Sequence, residues 1–228
     1  MISQNRNTKE NQGGNSDKRL HYFLSSCGVL GCIALLVYFS APYIIFPFPS
    51  ANASSLQIVA SAKTYAVDYL LAAWLQGSGT LLILVFVLGL VHSAKAWNSF
   101  AGWMTMLAAA AVLVLSLNEG SYFVDVAQAV TNGHTEAATT SFDLIFTFIR
   151  TFFIAPSLLL PLSFVLRSST ILPKTFWLWS LSLGIGFEVY GFVGIFATAI
   201  LFPAIILLIL MMAWVIVAST YFLRVRGL

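Results

Sequence analysis

Six long apolar stretches divide the chain, and shorter polar segments separate them. They cover about 22–44, 66–91, 100–118, 144–166, 176–197 and 200–222. A helix needs about 20 predominantly apolar residues to cross the hydrocarbon core of a bilayer. The pattern therefore predicts an all-α fold, a polytopic transmembrane bundle of six spanning helices. Residues 20–228 make up this transmembrane domain.

The N-terminal segment 1–19 has the opposite character, being polar and rich in Asn and Gly. Such a segment buries too little apolar surface to offset the entropy lost on ordering, so we expect a disordered tail. A basic tail before an apolar run also fits a secretory signal peptide. The first run is longer than the roughly 7–15 residues of a signal h-region, which favours an uncleaved first span.

Composition narrows the class of protein further. Hydrophobic residues make up 59% and charged residues 8%, and the mean hydropathy is +0.90. A soluble domain carries about 25% charged residues, three times as many, to cover its water-facing surface. A soluble enzyme, a disordered protein and a nucleic-acid binder are all disfavoured. The expected main partner is the lipid bilayer, in a multi-pass protein of the cell membrane. Cys27 and Cys32 lie inside the first span and are expected to be packing residues.

The basic residues give the orientation of the bundle. If the N-terminal tail is inside, nine of the eleven Lys and Arg residues fall on the inner side: Arg6, Lys9, Lys18, Arg19, Lys95, Arg167, Lys174, Arg224 and Arg226. Lys63 falls outside and Arg150 within a span. Because Lys and Arg accumulate in cytoplasmic loops, both termini are predicted to be cytoplasmic. The even number of spans agrees with this orientation.

Two segments on the outer side are also predicted to be helical beyond the spans. Ser54 and Ser55 suit the cap of a helix that runs through 56–65, lying at the outer surface or extending above it. The third spanning helix is expected to continue past Glu119 until Asn132-Gly133 ends it. Together the two extensions would form a small cap over the bundle.

Ionisable and amide side chains inside the spans form a candidate polar cluster. An ionisable residue near the bilayer centre costs roughly 2.5–3.5 kcal/mol on insertion scales, so it requires a partner or a function. We expect Arg150 to point into the bundle, within salt-bridge reach of Glu188 or Glu119, although a long arginine also snorkels to the interface. The candidate cluster comprises Arg150, Glu188, Glu119, Gln76 and Asp68.

Tryptophans near the span ends suit an aromatic belt. Trp74 and Trp214 fall deeper and are expected to pack inside the bundle. Motifs for nucleophilic or metal-dependent catalysis are not found, so we predict no catalytic residues, no metal site and no cofactor.

Several short motifs carry a family resemblance over about 20–224. They are Ala-Ala-Trp-Leu-Gln-Gly at 72–77, Leu117-Asn-Glu119, Phe153-Ile-Ala-Pro156, Leu172-Pro173 and Gly186-Phe-Glu-Val-Tyr-Gly191 with Gly194. With these motifs the chain resembles a family of uncharacterised bacterial six-helix integral membrane proteins. The resemblance implies a bacterial inner-membrane protein and supplies no catalytic residues.

Two functions from different classes follow from the polar cluster. In the first, the chain is a non-enzymatic helical bundle or a subunit of a membrane complex, with a membrane-protein partner or a second copy of itself. In this case the buried polar groups form hydrogen bonds that hold the helices together. In the alternative, the chain transports a small molecule or an ion by means of the buried Arg/Glu cluster.

Overall fold

The computed structural model describes the backbone of residues 4–44, 47–50, 52–154, 158–196 and 201–227, and the side chains of 18–40, 47–50, 52–147, 158–193 and 206–224. These residues form eight α-helices and no strand, which confirms the all-α class. The helices are α1 (Gln4–Ile44), α2 (Ser55–Thr64), α3 (Ala66–Ser93), α4 (Phe100–Thr131), α5 (Thr135–Ile154), α6 (Leu159–Arg167), α7 (Lys174–Phe196) and α8 (Leu201–Gly227).

Five helical segments among the described residues are long and apolar enough to cross a membrane. They are Lys18–Ser40, Ala66–Ser93, Phe100–Thr131, Lys174–Val193 and Ile206–Arg224. These segments correspond to five of the six spans expected from the sequence. The fold is therefore that of a multi-pass helical membrane bundle.

The remaining apolar stretch, 144–166, is divided between two helices. Its first part belongs to α5 and its last part to α6, and residues 155–157 between them lie outside the described residues. Pro161 falls in the first turn of α6, where a missing N–H removes no intrahelical hydrogen bond. The described residues thus contain no single long helix at the predicted fourth span.

Helix α1 begins at Gln4, whereas the composition predicts a disordered tail over 1–19. Once the apolar part of a helix is formed, each added residue gains one hydrogen bond without a new nucleation cost, so helix extends into polar sequence. The side chains of 4–17 lie outside the described residues, and the division into a tail, 1–19, and a transmembrane domain, 20–228, stays a prediction.

The two expected extensions beyond the spans are present. Helix α2 starts with a capping box, in which Ser54 Oγ accepts from the Gln57 N–H and Gln57 Oε1 accepts from the Ser54 N–H. Helix α4 runs past Glu119 to Thr131. Gly133 follows with φ +78°, a left-handed conformation that glycine adopts without strain.

Helices that are distant in sequence close the bundle. Helix α3 packs against α1 and α4, and α4 in turn packs against α5 and α6. Helix α7 packs against α5, α6 and α8, and α8 returns to α1. Helix α2 sits on α3, α4 and α5, so it marks one end of the molecule, here called the α2 end.

Two separate clusters of buried apolar side chains fill the interior. The lower core, away from the α2 end, is built by α1, α3, α6, α7 and α8 and includes Phe86, Trp214 and Phe222. The upper core, at the α2 end, is built by α1 to α5 and includes Phe123 and Phe142. Among the described residues, only α1 and α3 contribute fully buried side chains to both cores.

Charge also separates along the bundle. The exposed basic residues beside the lower core are Lys18, Arg19, Lys95, Arg167, Lys174 and Arg224. The acidic residues Asp125, Glu136 and Asp143 lie at the α2 end, together with Lys63. Six of the nine basic residues that the sequence places on the inner side are described, and these six lie at one end of the molecule.

The two deep tryptophans have different environments. Trp214 is fully buried, as expected, at 0% exposure, but the expectation for Trp74 is wrong, since its side chain is 65% exposed. Trp74 lies two positions from both Ala72 and Gln76, which are buried. Residues two apart on a helix lie on different faces, so burial of the Ala72–Gln76 face turns Trp74 outward.

Glycine allows α1 and α3 to approach closely. A Cβ atom added to Gly31 would lie 2.8 Å from the backbone oxygen of Gly79 and 2.9 Å from the backbone nitrogen of Ile83. These are main-chain atoms of α3, which cannot rotate away as a side chain can. Gly31 is therefore required for the observed distance between the two helices.

We expect Gly31→Ala to lower the free energy of unfolding by about 1–3 kcal/mol, because overpacking at this contact forces the helices apart. Gly77→Ala is the control, since a Cβ there would meet only Leu117 Cδ2 at 3.5 Å. Thermal unfolding of both purified variants in detergent checks the prediction. Equal melting temperatures for the two variants would contradict it.

Candidate functional site

Glu119 is the centre of a buried polar cluster that joins three helices. Its side chain, on α4, is only 5% exposed. Tyr38 of α1 donates a hydrogen bond from its hydroxyl to Glu119 Oε1 over 2.9 Å. Gln76 of α3 donates from Nε2 to Glu119 Oε2. Each carboxylate oxygen therefore accepts from a neutral group on a different helix.

One turn away, a second set of polar contacts links α3 to α4. Ser116 Oγ lies 2.9 Å from Thr80 Oγ1 and 3.4 Å from the backbone oxygen of Gln76. All these side chains are buried, at 1% exposure for Ser116 and 7% for Thr80. Residues three or four apart share one face of a helix, which places Gln76 above Thr80 and Ser116 beside Glu119.

The position of this cluster along α3 is also distinctive. Gln76 and Thr80 lie between Ala72, a member of the upper core, and Ile83, a member of the lower core. The polar side chains therefore form a layer that separates the two apolar interiors along this helix. We call Tyr38, Gln76, Thr80, Ser116 and Glu119 the polar layer.

Aromatic rings pack beyond the polar layer at the α2 end. Phe48, in the connection between α1 and α2, has its ring centroid 5.7 Å from Phe123, 5.7 Å from Tyr69 and 5.1 Å from Phe142. Phe123 lies one helical turn after Glu119 on α4, and its ring also meets Tyr38 edge-on at 6.0 Å. These rings form a dense apolar cover between Glu119 and the α2 end.

The structure brings together two of the five residues predicted from the sequence, Glu119 and Gln76. Asp68 is half-buried in the first turn of α3, eight residues before Gln76, which corresponds to about 12 Å along the helix. Glu188 is half-buried on α7, which packs mainly on α5, α6 and α8 rather than on α4. The Arg150 side chain lies outside the described residues, so its pairing with either glutamate stays a prediction.

Tyr38 was not among the predicted site residues, although it donates to Glu119. A tyrosine in an apolar span is usually interpreted as a core or interfacial aromatic residue. Its partner Glu119 is 81 positions away, so the sequence gives no sign of the contact. The signal that was present is its hydroxyl, because a buried Tyr hydroxyl usually requires a hydrogen-bond partner. Ser116 was missed for a similar reason, since small polar residues are frequent at helix contacts.

The described part of the chain was compared with the ligand sets that usually hold transition metals. No three His, Cys, Asp or Glu side chains gather there as ligands. Cys27 and Cys32 are buried free thiols, as expected of packing residues. Comparisons with protein-family models, with curated protein sequences and with solved structures find no match to this chain.

Proposed function

We propose that this protein is a non-enzymatic helical bundle that acts as a scaffold or as a subunit of a membrane complex, with the polar layer fixing the register of its helices. The observation that carries this proposal is the environment of Glu119. Its carboxylate is buried and hydrogen-bonded to both α1 and α3. Hydrogen bonds between buried polar groups hold neighbouring membrane helices in a fixed relative position.

The proposal includes the topology and the location. Helices α5 and α6 together form the fourth span, which gives six crossings with both termini in the cytoplasm. The basic residues at the end opposite α2 support this orientation, because such residues are retained on the cytoplasmic side. The family resemblance implies that the membrane is a bacterial inner membrane. The expected partner is another membrane protein or a second copy of the chain.

Reporter fusions test this topology. A reporter placed after His134 should be on the outer side, and a reporter placed after Leu228 should be cytoplasmic. The expectation follows from the nine basic residues that share one side. If both fusions report the same side of the membrane, the six-span arrangement is wrong.

Cysteine labelling separates a scaffold from a transporter. In a scaffold the polar layer is closed to bulk water, so Ser116→Cys, in a background without Cys27 and Cys32, should resist a membrane-impermeant thiol reagent from both sides. Ser121→Cys is the control, because Ser121 is exposed on the same helix. Rapid labelling of Ser116→Cys would instead favour the transporter, which requires a water-filled path to its site.

A further inference from the structure

We propose that the polar layer binds one monovalent metal cation, Na⁺, between α3 and α4. The ligands would be the carboxylate of Glu119, the side-chain oxygen of Gln76 and the hydroxyl oxygens of Ser116 and Thr80. This site goes beyond the scaffold function, because a bound cation is compatible with either a scaffold or a transporter. Three observations carry the proposal.

The first observation is a buried carboxylate that no described cationic side chain compensates. Among the described residues no Lys, Arg or His side chain forms a salt bridge with Glu119, and its two hydrogen-bond donors, Tyr38 and Gln76, are neutral. An ionised carboxylate in an apolar interior is strongly disfavoured unless another charge pairs with it. A single positive charge beside Glu119 would supply that pair.

The second observation is an oxygen atom without a donor. Gln76 Oε1 has no hydrogen-bond partner among the described residues, and the residue is only 5% exposed. This oxygen belongs to the same amide group as Nε2, which contacts Glu119. A buried acceptor left without a donor is costly, and a metal cation satisfies such an oxygen.

The third observation is the chemistry of the surrounding atoms. Ser116 Oγ, Thr80 Oγ1 and the backbone oxygen of Gln76 lie together one turn from Glu119. Hard cations bind oxygen ligands, mainly carboxylates, side-chain amide oxygens and backbone carbonyls. Only one carboxylate contributes among the described residues, so the charge of the site matches a monovalent ion rather than a divalent one.

Sodium-dependent stability tests the site on the full-length protein in detergent. The melting temperature is measured in NaCl and in choline chloride at equal ionic strength and pH. At a Na⁺ concentration about 100-fold above Kd, binding to the folded state should raise the melting temperature by roughly 5–10 °C. Asp125→Asn should keep this shift, because Asp125 is an exposed carboxylate on the same helix.

Two site variants make the test specific. Glu119→Gln should abolish the Na⁺-dependent shift, because it removes the charge that pairs with the cation. Thr80→Val keeps the side-chain shape and removes one ligand, so it should weaken the apparent Na⁺ affinity roughly tenfold. Thr80→Val carries the test alone if Glu119→Gln fails to fold.

Equal melting temperatures in NaCl and choline chloride would overturn the proposal, since a buried water or a proton would then satisfy the cluster. A Na⁺ shift that persists unchanged in both variants would overturn it as well, because the ion would bind elsewhere.

Discussion

Replacing Trp214 by alanine should lower the free energy of unfolding by about 3–5 kcal/mol, the range found when a large aromatic side chain is removed from a packed core. Trp214 is 0% exposed in the lower core, and its indole N–H donates to the backbone oxygen of Phe176 over 3.2 Å. The variant loses this packing, opens a cavity between α7 and α8 and loses the hydrogen bond from the indole to the Phe176 oxygen. Thermal or denaturant unfolding in detergent measures the effect.

Trp74→Ala is a matched control for that experiment. The same substitution is made in a helix of the same bundle, but the Trp74 side chain is 65% exposed. Its removal opens no internal cavity, so the melting temperature of this variant should stay near that of the wild type. Comparable losses in the two variants would mean that the lower core is not packed around Trp214 as described.

Glu119→Ala should also be strongly destabilising, lowering the free energy of unfolding by roughly 2–6 kcal/mol. The substitution leaves two buried donors, the Tyr38 hydroxyl and the Gln76 amide, without an acceptor, and each such group costs about 1–3 kcal/mol. Glu119→Gln should be milder, because its amide oxygen still accepts from Tyr38. The Gln76 amide can then turn to present its oxygen to the new N–H groups.

Unfolding of these variants is best measured in sodium-free buffer, so that any bound cation contributes nothing to the difference. Asp125→Ala serves as the control, being an exposed carboxylate on the same helix. If Glu119→Ala and Asp125→Ala have the same free energy of unfolding, the carboxylate of Glu119 does not hold α1, α3 and α4 together.

The sequence predicts most of the helices because hydrophobicity and length are local properties. Five spans, the start of α2 near Ser54 and the continuation of α4 to Asn132 could all be derived in this way. The fourth span stays a prediction, because residues 155–157 between α5 and α6 lie outside the described residues. Helix α1 also reaches further into polar sequence than composition indicates.

The site was harder to derive, because it depends on contacts between distant segments. The sequence shows that Glu119 and Gln76 lie in apolar surroundings, where an unpaired polar group costs free energy. It does not show which groups form hydrogen bonds with them. Tyr38 becomes a partner only when α1 packs beside α3, a contact that depends on Gly31 and Gly79. The expected burial of Trp74 was wrong for another reason. The depth of a residue in a span does not decide which face of the helix meets lipid.

The polar layer has a consequence for how the bundle opens. Because it divides the apolar interior, α2, α4 and α5 contribute buried residues to one core and α6, α7 and α8 to the other. Local opening in proteins follows such cooperative units, each with its own free energy. Backbone amides of α4 and α5 should therefore exchange with solvent deuterium as one group and those of α7 and α8 as another. Helices α1 and α3, shared by both groups, should be the last to exchange.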